Sequence, residues 1–334
     1  MLKVFGNFFI TILFFLISSG IHGAELNQIE QKKFIQEMVD EHGFDKQDLE
    51  RTFTKVKLLD YALEVIQKPA EKSKEWHEYR KIFLTKERIK KGVVFWQENR
   101  DLLMDVEKEY GVPREMIVAI IGVETYYGKF KGKYRVIDSL ATLAFNYPKR
   151  AKFFRNELKQ FLLFTRRLKM DPFSRMGSYA GAMGMPQFMP SSFQAYAVDF
   201  DHDDQINIWD NKADIFGSIA NYFKRHGWKT DEPVAVPTWV KKNVTLENYI
   251  EKGLKPTIPL DELTKSGVET KRNIEGNPTS SLLEYKQENS MDYWVIFQNF
   301  YTITRYNHSP LYGMAVYQLS EEIKEAYVQS ALIK

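Results

Sequence analysis

From residue 29 to about residue 110 the chain is rich in Lys, Glu, Gln and Leu. Its apolar positions recur every three or four residues, as at Phe34 and Met38 and again at Leu58, Leu59, Ala62, Val65 and Ile66. That spacing gathers one apolar stripe on a helix surface, so the region reads as helical. Gly43 and Pro69 interrupt it, and Trp76, Tyr79, Phe83, Ile89, Val93 and Trp96 form a second stripe that reads as core packing. Gly111-Val112-Pro113 ends one helix and begins another, because proline is pre-organised for a first helical turn. Past residue 231 the pattern changes: Pro233–Pro237, Val244, Thr257–Pro259 and Val268–Thr270 are short β-prone runs broken by Gly and Pro. They predict a small β-rich insert over 231–290. Tyr293–Phe297 then reads as a buried strand, and Tyr301–Leu319 returns to helical sequence, so 291–334 is expected to rejoin the helical body. The fold class is mainly α, with the insert making it α+β.

The N-terminus is different in kind. After Lys3, an apolar run from Val4 to Ile17 is followed by Ser18, Ser19 and Gly20 and then by Ile21-His22-Gly23-Ala24. Small residues after an apolar core, with no basic cluster behind them, predict a secretory signal over 1–23, cut near Gly23 or Ala24; an uncleaved anchor is the alternative. The expected location is therefore the periplasm or cell envelope. The remaining divisions are a helical region (24–110), a central region (111–230), the insert (231–290) and the C-terminal return (291–334).

Composition narrows the function. The 334 residues carry 47 basic and 44 acidic side chains, a net charge of +3, too near balance for a dedicated nucleic-acid binder. There is no cysteine, which excludes disulfides, thiolate zinc sites, a cysteine nucleophile and a lipid anchor on cysteine.

Four segments bear chemistry. In the helix that begins at Pro113, Glu124 follows Ile117, Ile120 and Ile121 at helical spacing and so projects from the apolar face. Desolvation there favours the protonated, proton-donating form, and a carboxylate near a helix C-terminus also opposes the helix dipole. A solvated or paired charge is the competing reading. The stretch Gly177–Ser192 has glycines at 177, 181 and 184 among Met, Phe and Gln, either a plain loop or one whose backbone meets a ligand closely. Asn146–Arg150 breaks a helix and offers Lys149 and Arg150, as a solvated turn or to an anion. In the fourth, Asp199, Asp201 and Asp203 with the carbonyl of Gln205 stand at positions one, three, five and seven of a calcium-type loop. Asp204 occupies the sixth position, where glycine is usual, and Asp210 the twelfth, where glutamate is usual. Calcium with a structural role is the expected cofactor, with magnesium, sodium and an unmetallated acidic turn as alternatives.

The stretches AIIGVETYYGK, DSLATLAFNYPKRA, GSYAGAMGMPQFMPSS and INIWDNKADIFGSIANYF closely resemble the lytic murein transglycosylase B family, glycoside hydrolase family 103. The likeness extends upstream into EWHEYRKIFLTKERIKKGVVFW and downstream into ITRYNHSPLYGMAVYQLS, nearly all the mature chain. The resemblance implies a lysozyme-like core and a catalytic acid at Glu124, the glutamate of the GVET motif. It implies cleavage of the MurNAc–GlcNAc β-1,4 bond of peptidoglycan without water, leaving 1,6-anhydro-MurNAc ends. It also implies substrate contacts from Ser178, Met183, Gln187, Tyr222, Tyr306, Asn307 and Tyr312, with Lys149 and Arg150 near a carboxylate, and an acidic loop closed by Asp214. A single carboxyl acting as acid and then base fits this chemistry; Asp138 is the nearest candidate for the second carboxylate that an ordinary glycosidase uses. A hydrolytic muramidase and a non-catalytic wall-binding protein are the alternatives. The expected partners are peptidoglycan glycan strands, with other cell-wall enzymes as candidates, and a monomer is expected.

Overall fold

The computed structural model describes residues 25–67 and 74–332. The stretch read as a secretory signal and Pro69 lie outside the described residues. The N-terminal region forms α1 (Gln28–His42), α2 (Lys46–Thr54), α3 (Asp60–Val65), α4 (Trp76–Phe83), α5 (Lys86–Glu98) and α6 (Arg100–Tyr110). Side-chain caps start several of these: Asn27, Asp45 and Thr85 each accept a backbone N–H from the first helical turn. Gly43 ends α1 in the left-handed region, as its place in the pattern predicts. None of the described helices is long and apolar enough to cross a membrane.

The central region follows as α7 (Arg114–Thr125), a two-residue strand β1 (Tyr134–Arg135), α8 (Val136–Asn146), α9 (Ala151–Arg167), β2 (Met176–Gly177), α10 (Pro190–Tyr196) and α11 (Lys212–Arg225). It shares one hydrophobic core with the N-terminal helices: Phe34 of α1 meets Phe145 of α8 edge-on, with ring centroids 5.7 Å apart. The insert supplies β3 (Ala235–Val240), α12 (Glu247–Ile250), β4 (Ile258–Pro259), α13 (Leu260–Lys265), β5 (Val268–Thr270), β6 (Thr279–Lys286) and β7 (Met291–Ile296). The chain closes with α14 (Gln298–Tyr306) and α15 (Pro310–Leu332).

The five-stranded antiparallel sheet has the order β4-β6-β7-β3-β5. It therefore takes in β7, which the sequence pattern had set with the C-terminal return. The cause is pairing: β7 lies between β6 and β3, with Val295 opposite both Leu282 and Val236. One sheet face covers its own small core of Val236, Ile258, Leu263, Val268, Leu282, Val295 and Phe297. The other is fastened to the helical body. Tyr285 meets Trp76 edge-on at 5.3 Å and donates to the Pro310 carbonyl, and Tyr317 of α15 donates to the Ala235 carbonyl. The last helix, α15, returns across α4, α5 and α7, which brings residues near 312 to the end of α7.

Candidate active site

The helix α7 is apolar around most of its girth, and Ile117, Val118, Ala119, Ile120 and Ile121 are fully buried. Glu124 lies in its last turn and is only half-buried, at the point where the helix leaves the core. The helix then stops abruptly. Tyr126, Tyr127 and Gly128 have φ of 52°, 60° and 85°, and the Tyr126 and Tyr127 N–H groups return to the Gly122 and Ile121 carbonyls. Two consecutive left-handed residues with side chains store backbone strain of about 1 kcal/mol or more each, so the surroundings must hold them there.

Arg88 of α5 provides much of that hold. Its Nη1 donates to the Gly122 carbonyl at 2.9 Å, its guanidinium lies 4.8 Å from the Tyr126 ring centroid and 5.0 Å from that of Phe83, and its own carbonyl accepts from the Tyr127 hydroxyl at 2.8 Å. Burial pulls the guanidinium below the ordinary arginine range. A cation at the negative end of α7 offsets the dipole that Glu124 would otherwise face alone. Arg88 is a brace of this helix end that sequence reasoning missed; nothing in its local pattern distinguishes it from the other cations of α5.

From α15, the Tyr312 hydroxyl donates to Glu124 Oε1 at 2.6 Å. Burial, and then the negative charge of Glu124, push the Tyr312 phenol well above its ordinary range, so it remains a donor. The same two causes raise Tyr306, whose hydroxyl donates to the Pro186 carbonyl at 2.7 Å. Tyr306, Tyr222 and Phe188 form an aromatic wall, with Tyr222 4.8 Å from Tyr306 and Phe188 5.7 Å from Tyr222. The Gly177–Ser192 loop folds back through paired backbone bonds between Met183 and Phe188. Thr125 joins this loop to α7: its hydroxyl accepts from the Gly128 N–H and lies 3.2 Å from the Met185 carbonyl.

A strained helix end, a carboxyl gripped by a buried phenol and a cluster of aromatic rings stand together at the end of α7. Residues 27–321 match the family described as Transglycosylase SLT domain. The chain belongs to this transglycosylase family. It is 43% identical over 316 residues to membrane-bound lytic murein transglycosylase B of Escherichia coli (strain K12), covering 92% of this chain and 86% of that protein. The solved soluble lytic transglycosylase SltB1 of Pseudomonas aeruginosa is 48% identical, with a TM-score of 0.83, covering 89% of this chain and 99% of that one. The Escherichia coli lytic transglycosylase Slt35, solved in complex with calcium, is 43% identical with a TM-score of 0.82, covering 90% of this chain and 94% of that one. The chain is thus a peptidoglycan lytic transglycosylase with the lysozyme-like α+β fold of its relatives.

Within this transglycosylase the residues singled out from sequence fall into groups. Glu124, Tyr312 and Tyr306 come together at the end of α7. Tyr222 backs the wall, its hydroxyl donating to the Arg305 carbonyl, and Asn307 follows directly on α14, half-buried. Ser178 Oγ accepts from the Ala182 N–H of its own loop, and Gln187 Nε2 donates to the Gly184 carbonyl and, at 3.3 Å, to the Lys131 carbonyl. Met183, expected to touch the glycan, is fully buried and packs in the core beneath the loop. Lys149 and Arg150 are exposed on a short 3₁₀ turn, and the Arg150 guanidinium lies over the Phe153 ring at 4.2 Å. Asp138, the candidate second carboxylate, is a structural group: it is buried, receives two bonds from Arg135 and accepts the Lys57 N–H.

In the acidic loop, carboxylate oxygens of Asp199, Asp201 and Asp203 come within 4.8 Å of one another. Asp204 adopts φ of 65°, the left-handed conformation that glycine usually supplies at the sixth position and that Asp tolerates better than most residues. Gln205 is exposed, so its side chain brings no buried ligand, but its backbone carbonyl remains at position seven. Asp210 turns outward to Lys131, at 2.8 Å. Asp214 lies beneath the loop and draws its ends together, accepting the N–H groups of Phe200 and Asn207. Burial raises the Asp214 carboxyl, and the charges of Asp201 and Asp199 add to that rise.

Proposed function

We propose that Glu124 carries the proton chemistry of this transglycosylase alone, first as acid and then as base. The observation that carries this reading is the Tyr312–Glu124 bond at the mouth of an apolar helix end, with Asp138 locked to Arg135. With Oε1 accepting from Tyr312, the transferable proton belongs on Oε2. It passes to the bridging oxygen as the C1–O bond of MurNAc breaks, and the cationic sugar is held either as an oxocarbenium ion or as an oxazolinium closed by its own 2-acetamido group. The Glu124 carboxylate, stabilised by the Tyr312 donor, then takes the proton of the C6 hydroxyl while O6 closes on C1. The product is a 1,6-anhydro-MurNAc end, and no water is consumed. Mass analysis of muropeptides released from purified sacculi tests this: anhydro ends are expected. Products heavier by one water, with free reducing ends, would favour a muramidase.

Tyr312→Phe removes one donor to a charged group, worth about 1.5–3 kcal/mol, so turnover on soluble glycan strands is expected to fall about ten- to a hundredfold. Unchanged kcat would show that the phenol does not support the carboxylate.

We also place a calcium ion in the acidic loop, held by Asp199, Asp201, Asp203, the Gln205 carbonyl and Asp214. The oxygen-only donor set and the left-handed Asp204 support calcium, and the role is structural. The loop continues to Ile208, whose carbonyl accepts the Met185 N–H, so loop order is relayed to the groove. Removing calcium with a chelator is expected to lower Tm by several degrees, restored by calcium in preference to magnesium. A Tm indifferent to chelation would remove the ion from the account. The apolar run Val4–Ile17, read as a secretory signal, supports action in the periplasm or cell envelope, on the glycan strands of the cell wall.

A further inference from the structure

Well removed in sequence from Glu124, the sheet presents an aromatic surface that the catalytic groove does not use. Trp239 of β3 is 63% exposed, on a strand whose Ala235 and Val236 are buried. In the ladder Pro237 stands opposite Trp294 and Trp239 opposite Glu269, so Trp239 lies beyond the point where this sheet face is covered by the helical body. A cavity of about 400 Å³ opens beside it, lined by Trp239, Thr238, Lys271, Asp292, Tyr293 and Trp294 among others. Trp294 is fixed at the cavity's inner end by an edge-on contact with Tyr317.

Charged side chains surround the cavity, each with its own partner. Glu269 is taken by Lys241 at 2.7 Å, and Asp292 accepts from Gln287 at 2.6 Å. Lys271 forms no salt bridge among the described residues; its ammonium rests 3.8 Å from the centre of the Trp239 ring. The result is a largely exposed indole with an adjoining cation that forms no salt bridge among the described residues. Flat apolar rings bearing a polar rim suit the C–H faces of pyranose sugars, and an ammonium suits an anionic substituent.

We infer that this cavity is a second binding site for the peptidoglycan strand, with Trp239 stacking on an N-acetylated sugar and Lys271 pairing with a carboxylate of the peptide stem. The inference rests on the assignment of peptidoglycan as the substrate. The pairing of features selects this occupant: the strand alternates ring faces with carboxylate-bearing stems, and the exposed indole with Lys271 beside it can meet the two together. A site on the sheet would let the enzyme keep hold of the polymer while the groove acts on it.

The test uses the full chain carrying Glu124→Gln, so that sacculi are bound without digestion, and measures co-sedimentation with purified sacculi. Trp239→Ala is expected to weaken binding about five- to tenfold, and Lys271→Glu to weaken it comparably. The Trp239 side chain is largely exposed, so its removal should leave Tm nearly unchanged, and Trp239→Phe, which keeps a flat ring, should retain most of the affinity. Met104, an exposed apolar residue of α6, serves as the control: Met104→Ala should bind as the parent does. Binding by Trp239→Ala equal to that of the parent, or an equal loss in Met104→Ala, overturns the second site while the substrate assignment stands. If the Glu124→Gln parent itself fails to sediment with sacculi, both fall.

Discussion

Glu124→Gln is expected to lower the release of muropeptides from sacculi by about 10²–10⁴-fold, the range over which a positioned acid–base group contributes. The amide keeps the shape of the side chain and can still accept from Tyr312 through its carbonyl oxygen, so binding and Tm should change little. What disappears is an acid able to protonate the bridging oxygen and a base able to deprotonate O6. Because both steps use the same atoms, no partial activity from a second carboxylate should remain, and Asp138 is in no position to supply one. The Tyr312 contact gives a sharper check. If the phenol acts only through Glu124, Tyr312→Phe should have almost no further effect in the Glu124→Gln background, although it slows the parent. Sacculi digested at the parental rate by Glu124→Gln would remove the carboxyl from the mechanism.

Much of this site was legible before any coordinates, and the reason is periodicity. Ile117, Ile120 and Ile121 share a face with Glu124 at helical spacing, and α7 begins after Pro113 as the pattern requires. The Gly-rich loop and the acidic loop were visible because glycine and aspartate clusters mark backbone that is neither helix nor strand. The resemblance carried the role of Glu124. Contacts between distant residues were not legible. Tyr312 is 188 positions from Glu124, and only the return of α15 across α7 brings them together. Arg88 is 34 positions from Gly122 and lies among other cations of α5. The same limit explains β7: its apolar run reads as a strand, but membership of the sheet depends on pairing with β3 and β6, which no local pattern records. Met183 shows the converse case, in which a residue of a motif singled out from the sequence has its side chain buried in the core.

The second large effect is expected at Gly184, where backbone conformation and close packing coincide. Its φ is 67°, and a Cβ there would stand 2.4 Å from the Ile208 carbonyl oxygen, the same oxygen that accepts the Met185 N–H. Gly43 offers a matched reference: its φ is 61°, and a Cβ would meet nothing within 4 Å. Gly43→Ala should therefore cost about 1 kcal/mol, the backbone term alone. Gly184→Ala adds an overlap with a carbonyl that cannot rotate aside without breaking its hydrogen bond, so a total of about 3 kcal/mol or more is expected, a Tm fall of roughly 6–10 °C. Relief of the overlap must push Met185 away from Ile208, and Met185 is also the residue whose carbonyl faces the Thr125 hydroxyl beside Glu124. Turnover should accordingly fall by about tenfold or more even at temperatures where the variant is fully folded, whereas Gly43→Ala keeps parental kcat. Equal Tm losses in the two variants, with kcat preserved in both, would mean that the link from the acidic loop to the catalytic helix end transmits nothing to the reaction.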